Sequence, residues 1–188
     1  MNFEAVSDVV DGHPHMKKKR GREVYDHVVK HECRDILELG TYHGVSTCYL
    51  AAAVEELGSG RVTTMDRSEA GRLEPNVYSL LEACGLTPLV DVVLAERSFT
   101  WELKKVLELP ERPQFDFVFL DAWKRDYQKF FDMVFPRMPK GGLFVAHNVL
   151  NKKSEMPDFL NTIETRPDLF STIVAPSGEG VSVSWKRK

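Results

Sequence analysis

The sequence predicts an α/β protein: a doubly wound, mostly parallel sheet with helices on both faces and an antiparallel hairpin at its end. Three observations predict it. Short apolar runs at 35–40, 61–66, 90–95, 115–121 and 142–147 alternate with stretches of helical spacing. The connections between those runs are long enough for right-handed crossovers, which make the strands parallel. The last two β-rich runs, 170–175 and 181–185, are separated only by Pro176, Ser177, Gly178, Glu179 and Gly180. That gap is too short for a crossover and fits a hairpin.

Taken in order, residues 1–20 show no strong periodicity and are expected to form a flexible arm or lid, leaving 21–188 as one domain. A chain of 188 residues fits a single core at the usual ~150 residues per domain. The strand at 35–40 leads into a helix at 46–57, for which Ser46 is the expected N-cap. The helix at 76–85 has Gly85 as its stop, and further helices follow at 99–109, 127–138 and 158–165. The unbroken apolar run Phe117-Val118-Phe119-Leu120 suits a strand buried on both faces. Phe99, Trp101 and Phe130 read as packing residues. No internal repeat, low-complexity tract or linker is visible.

Composition narrows the function classes. With 43% hydrophobic and 28% charged residues, the chain is neither a disordered tail, a collagen nor a disulfide-stapled miniprotein. Twenty-five basic against 28 acidic residues leave a formal charge of −3, so nucleic acid is not an expected partner. The basic run of Lys17, Lys18, Lys19, Arg20 and Arg22 reads as a solvated face. Cys33, Cys48 and Cys84 are odd in number and form no CxxC pair, which speaks for small buried hydrophobes in a reducing compartment. No apolar run approaches the ~20 residues of a membrane span, and residues 1–11 lack a basic head with an apolar core. A cytoplasmic protein without a membrane partner is expected.

The chemistry concentrates where strands end. After the first strand comes Glu38-Leu39-Gly40-Thr41-Tyr42-His43-Gly44-Val45-Ser46-Thr47, an elbow whose glycines let backbone turn sharply and approach a ligand. It is not the pyrophosphate fingerprint, because Tyr42 takes the place of that motif's second glycine. Asp66 ends the second strand, where an acid can accept both hydroxyls of a ribose. Alone, the glycines are a turn and Asp66 a helix cap. In this order and spacing they fit a nucleoside without a diphosphate. His13, His15 and His43 show no ligand spacing.

From about Arg20 to Leu160 the sequence resembles the catechol O-methyltransferase family of class I enzymes that use S-adenosylmethionine. The resemblance is carried by Leu37-Glu38-Leu39-Gly40-Thr41-Tyr42 with Gly44 and Ser46, by Asp66, and by Val118-Phe119-Leu120-Asp121-Ala122-Trp123-Lys124 with Tyr127. Gly141-Gly142 followed by His147-Asn148 completes it. It implies a Rossmann-like domain with a seven-stranded sheet whose last strand is antiparallel. It also implies that Glu38, Gly40, Thr41, Tyr42, Gly44 and Ser46 surround the methionine part of the cofactor, with the first helix amides on its carboxylate. Asp66 would hold the ribose, Glu96, Asp121 and Trp123 would border the adenosyl group, and residues 16–21 would cover the cofactor.

The family also implies Lys124 as general base and a divalent cation held by Asp121, residue 147 and Asn148. Here residue 147 is His, where the family has aspartate. Losing one anionic oxygen should weaken Mg²⁺, and three readings stay open: His147 ligates a softer metal such as Mn²⁺, Fe²⁺, Co²⁺ or Zn²⁺, acts as base in a metal-free site, or is a neutral change at a strand end. The expected acceptor is a hydroxyl of a small molecule, a catechol-like phenol if a metal chelates it and a sugar or polyketide hydroxyl otherwise. Two other readings are an inactive S-adenosylmethionine-binding protein and, disfavoured by Tyr42, a nicotinamide-dependent dehydrogenase. A homodimer is compatible with all of them.

Overall fold

The computed structural model describes residues 2–10, 18–109, 114–175 and 178–187. Its strands are β1 (Asp35–Leu39), β2 (Arg61–Arg67), β3 (Val90–Ala95), β4 (Phe117–Leu120), β5 (Leu143–His147), β6 (Leu169–Val174) and β7 (Val181–Lys186). They form a seven-stranded sheet in the order β3-β2-β1-β4-β5-β7-β6. β1 with β2, β2 with β3, and β4 with β5 pair in parallel. β7 runs antiparallel to both β5 and β6, so the sheet is mostly parallel with an antiparallel last strand, as expected. By contacts the chain divides into two compact units, Met1–Phe99 and Thr100–Lys188. No helix among the described residues is long and apolar enough to cross a membrane.

In the first unit the centre is α3 (Val45–Glu56), whose residues Val45 to Val54 are all buried. A helix apolar on every side needs cover on every side. Part of that cover comes from α1 (Phe3–Val10) and α2 (Lys18–Lys30). The expected loose arm is therefore a helix over residues 3–10. Phe3, Val6 and Val10 are buried on one face, and Phe3 stacks on Tyr49 at 5.1 Å. Eight residues are too few to show a period against their polar neighbours. Gly21 belongs to the same packing, since a Cβ there would lie 2.3 Å from the Tyr49 ring. The basic run is partly engaged: Lys18 and Arg22 both pair with Glu4, and the Arg22 guanidinium lies 3.5 Å over the Phe3 ring. Residues 11–17, with His13, His15, Met16 and Lys17, lie outside the described residues.

α4 (Val77–Ala83) begins with a reciprocal cap between Asn76 and Ser79 and ends before Gly85, whose φ is +65°. The three cysteines are buried, as expected, and none is in a disulfide. α5 (Phe99–Glu108) follows β3. Phe99 is buried, but Trp101 is exposed, with the Lys105 ammonium 3.2 Å over its ring.

In the second unit the core is aromatic. Phe131 of α6 (Tyr127–Val134) stacks on Phe135 at 4.6 Å and meets Phe144 of β5 at 5.1 Å. Phe159 of α7 (Pro157–Thr165) closes on Phe131 and Tyr127. Phe130 is buried, as the sequence suggests. β7 carries buried serines facing its neighbours, with Ser184 bonded to Ser171 of β6 at 2.8 Å. Its register sets His147 opposite Val181 and so brings the turn before Val181 to the end of β5.

Candidate active site

The elbow lies in the first unit. Gly40 continues the ladder past β1 by donating to Met65 O at 2.9 Å, and Gly44 N closes a tight turn on Thr41 O at 2.8 Å. That turn needs φ +91° at Gly44, while Tyr42 stands at φ +50°. A Cβ on Gly44 would also lie 2.7 Å from Val77. Gly44, not Ser46, is therefore the N-cap of α3, and the helix carries no side-chain cap. The tight turn requires a left-handed residue at that point, which displaces the serine into the first turn. Its first amides are left for an anion.

Beneath the elbow Glu38 is completely buried. Its Oε2 accepts from Thr47 Oγ1 at 2.5 Å and Thr64 Oγ1 at 2.6 Å, and Thr64 is 2.5 Å from the hydroxyl of Thr41. The carboxylate thus ties β1, β2, the elbow and α3 together. Asp66 is half-buried within β2. Its Oδ2 accepts from Tyr42 N and its Oδ1 from Arg67 N, both at 2.7 Å. Each oxygen keeps a further lone pair. Glu96 is exposed directly after β3.

The second unit assembles the other group. Asp121 follows β4, His147 is the last residue of β5, and Lys124 and Tyr127 lie at the start of the next helical stretch. Asp121 Oδ1 accepts from Lys124 Nζ at 2.6 Å, and Oδ2 accepts from His147 Nδ1 at 2.8 Å. Lys124 donates as well to Tyr127 OH at 2.9 Å and Ala122 O at 3.1 Å. Each of its three N–H groups therefore has an acceptor. Tyr127 OH in turn donates toward Leu120 O and His147 O.

Burial raises the Asp121 carboxyl, but the hydrogen bond from His147, together with the Lys124 charge and hydrogen bond, outweighs it and holds it below the usual carboxylate value. Burial, with the Asp121 charge, pushes the Tyr127 phenol well above its ordinary value. His147 is 3% exposed. Its Nε2 makes no hydrogen bond among the described residues, with Glu179 Oε2 3.4 Å away. Asn148 is half-buried beside it with φ +63°, and Trp123 is half-buried after β4.

Glu179 and the threonines Thr47 and Thr64 are the residues that sequence reasoning missed. Glu179 stands in what reads only as a turn. It reaches His147 because Leu150 N and Asn151 N both donate to its carbonyl. Thr47 was visible in the elbow motif, but nothing local tied Thr64 to Glu38.

The donors present do not fit the cation that the resemblance implies. Two of the three implied ligands, Asp121 and His147, are hydrogen-bonded to each other. The other oxygen of Asp121 holds an ammonium.

The glycine elbow thus follows β1, Asp66 lies on β2, and the polar cluster stands at the ends of β4 and β5. The chain matches the methyltransferase domain family over residues 37–149, and it belongs to that family.

It is 31% identical over 121 residues to a catechol O-methyltransferase of Niastella koreensis, covering 63% of this chain and 51% of that protein. The match thus spans about half the length of that relative. The O-methyltransferase TomG from Streptomyces achromogenes, solved with S-adenosylmethionine, superposes with a TM-score of 0.84 at 22% identity. That alignment covers 98% of this chain and 90% of TomG. An O-methyltransferase from Bacillus cereus, solved with S-adenosylhomocysteine, gives 0.82 at 21% identity over 98% and 91% of the two chains. These two likenesses establish the fold.

Proposed function

We propose that this chain is an S-adenosylmethionine-dependent O-methyltransferase acting on a hydroxyl of a small molecule, with His147 as the proton acceptor. The observation that carries the assignment of the base is the tie between His147 Nδ1 and Asp121. It fixes the tautomer in which Nε2 holds the lone pair. Lys124 Nζ is engaged by three acceptors, Asp121, Ala122 O and Tyr127 OH, and serves to hold Asp121 in place. The carboxylate of Glu179 stands beside Nε2. Its backbone is pinned while its side chain is 36% exposed, and an acceptor reaching Nε2 would approach from that side.

The cofactor supplies an activated methyl on a sulfonium. Gly40, Thr41, Tyr42, Gly44 and Ser46 surround its methionine part, with the uncapped amides of α3 on the carboxylate. Glu38 acts from below by fixing Thr47 and Thr64. Asp66 accepts the ribose hydroxyls, and Glu96, Asp121 and Trp123 flank the adenosyl group. A methyl on sulfur needs an oxygen held in line with it at about 3 Å and relieved of its proton. His147 takes that proton. The relatives' names support a hydroxyl acceptor.

Formation of S-adenosylhomocysteine by the full chain, measured against a panel of phenols, sugars and polyketide alcohols, tests this reading. Turnover with at least one class is expected, together with its loss in H147A. A chain that binds the cofactor and yields no product with any of them is a binding protein without turnover.

A further inference from the structure

We propose that this chain transfers the methyl group without a divalent cation, and that its acceptor therefore presents one reactive hydroxyl instead of a chelating pair. The proposal rests on the methyl-transfer reading above and adds the acceptor class to it.

A cation shared by Asp121 and residue 147 needs both side chains to point lone pairs at one position. Here the two side chains are instead hydrogen-bonded to each other, with His147 Nδ1 2.8 Å from Asp121 Oδ2. The second imidazole nitrogen is on the opposite edge of the ring, and there it meets Glu179 Oε2 at 3.4 Å. Asp121 and Glu179 therefore stand on opposite sides of the same imidazole and do not converge on a common ion. The ring has little room to turn: it is 3% exposed and ends a strand paired to Val181.

Charge leads to the same conclusion. Asp121 is already balanced by the Lys124 ammonium 2.6 Å from Oδ1. Mg²⁺ dehydrates reluctantly and favours hard, anionic oxygens. With aspartate at position 147 such a pair of carboxylates would exist; with histidine it does not.

The acceptor class follows. A cation can grip two adjacent oxygens of a diol and ionise one, which is what makes a vicinal pair advantageous. In its absence only the reacting oxygen is engaged: it forms the new bond to the methyl carbon, the C–S bond breaks with its electrons on sulfur, and the hydroxyl proton passes to His147. A neighbouring hydroxyl then adds nothing.

The test is a Mn²⁺ titration of the full chain followed by electron paramagnetic resonance, with S-adenosylhomocysteine binding measured by calorimetry on the same samples with and without EDTA. The proposal expects the free-ion signal to stay undiminished and the nucleoside affinity to be the same with EDTA. One equivalent of Mn²⁺ bound by the native chain and released in D121N would overturn it. So would methylation confined to vicinal diols and abolished by EDTA. Failure to bind the nucleoside would instead strike the methyl-transfer reading, while the Mn²⁺ signal would still report on the cation.

Discussion

His147 carries the most weight at the scale of single residues, since its neighbours and not its type decide what it does. With Nδ1 bonded to Asp121, loss of the ring in H147A should lower kcat by about 10²- to 10⁴-fold. Affinity for S-adenosylhomocysteine should be nearly unchanged, as steady-state kinetics and calorimetry would read. Glu38 works by a different means. Thr47, Thr64 and, through Thr64, Thr41 depend on its buried carboxylate. Glu38→Ala would strand those hydroxyls and should cost roughly 2–5 kcal/mol in urea unfolding. Glu38→Gln, which keeps an acceptor oxygen, should cost less.

The elbow was legible because its signal is local: glycines after a strand, then a helix. Asp66 was legible for the same reason, as an acid at the end of the next strand. Glu179 was not. Its approach to His147 depends on β7 pairing with β5 and on two backbone bonds to its carbonyl, neither of which leaves a pattern in sequence. The Ser46 cap failed because the tight turn places the left-handed residue at Gly44.

Strands and helices were read well where a period is long enough to recognise. β3 falls where expected, and β1, β2, β4 and β5 within two residues at each end. The hairpin followed from a gap too short for a crossover, and β7 is antiparallel on both sides. The missed elements, α1 and α2, are short or strongly charged, and their faces are defined only by what α3 needs as cover. One contact in that cover is pH-sensitive. Tyr25 of α2 donates to Glu56 of α3, and burial together with that bond pushes its phenol up to about 12. The neutral phenol is therefore favoured in the folded state. Its contribution is complete below the ordinary value near 10 and is lost as pH rises through about 12. Melting temperature followed from pH 9 upward should fall more steeply in the native chain than in Y25F.

At the scale of the whole molecule, the proposed site residues fall in both units. The first carries the elbow and Asp66, and the second carries Asp121, Lys124 and His147. A change at the elbow should leave the Asp121 to His147 contact intact. A Gly44→Ala substitution puts a Cβ into a left-handed turn and against Val77. It should cost about 2–4 kcal/mol of stability and weaken nucleoside binding, while the Asp121 to His147 contact persists. Membership of the methyltransferase family over residues 37–149 spans residues of both units.

The central claim is that the elbow and Asp66 hold a sulfur nucleoside. It is tested most directly by calorimetric titration of the full chain with S-adenosylhomocysteine, beside Asp66→Ala. Saturable binding by the native chain is predicted, weakened about 10- to 100-fold by loss of the ribose acceptor. No heat with the native chain, or equal affinity in both proteins, would contradict it.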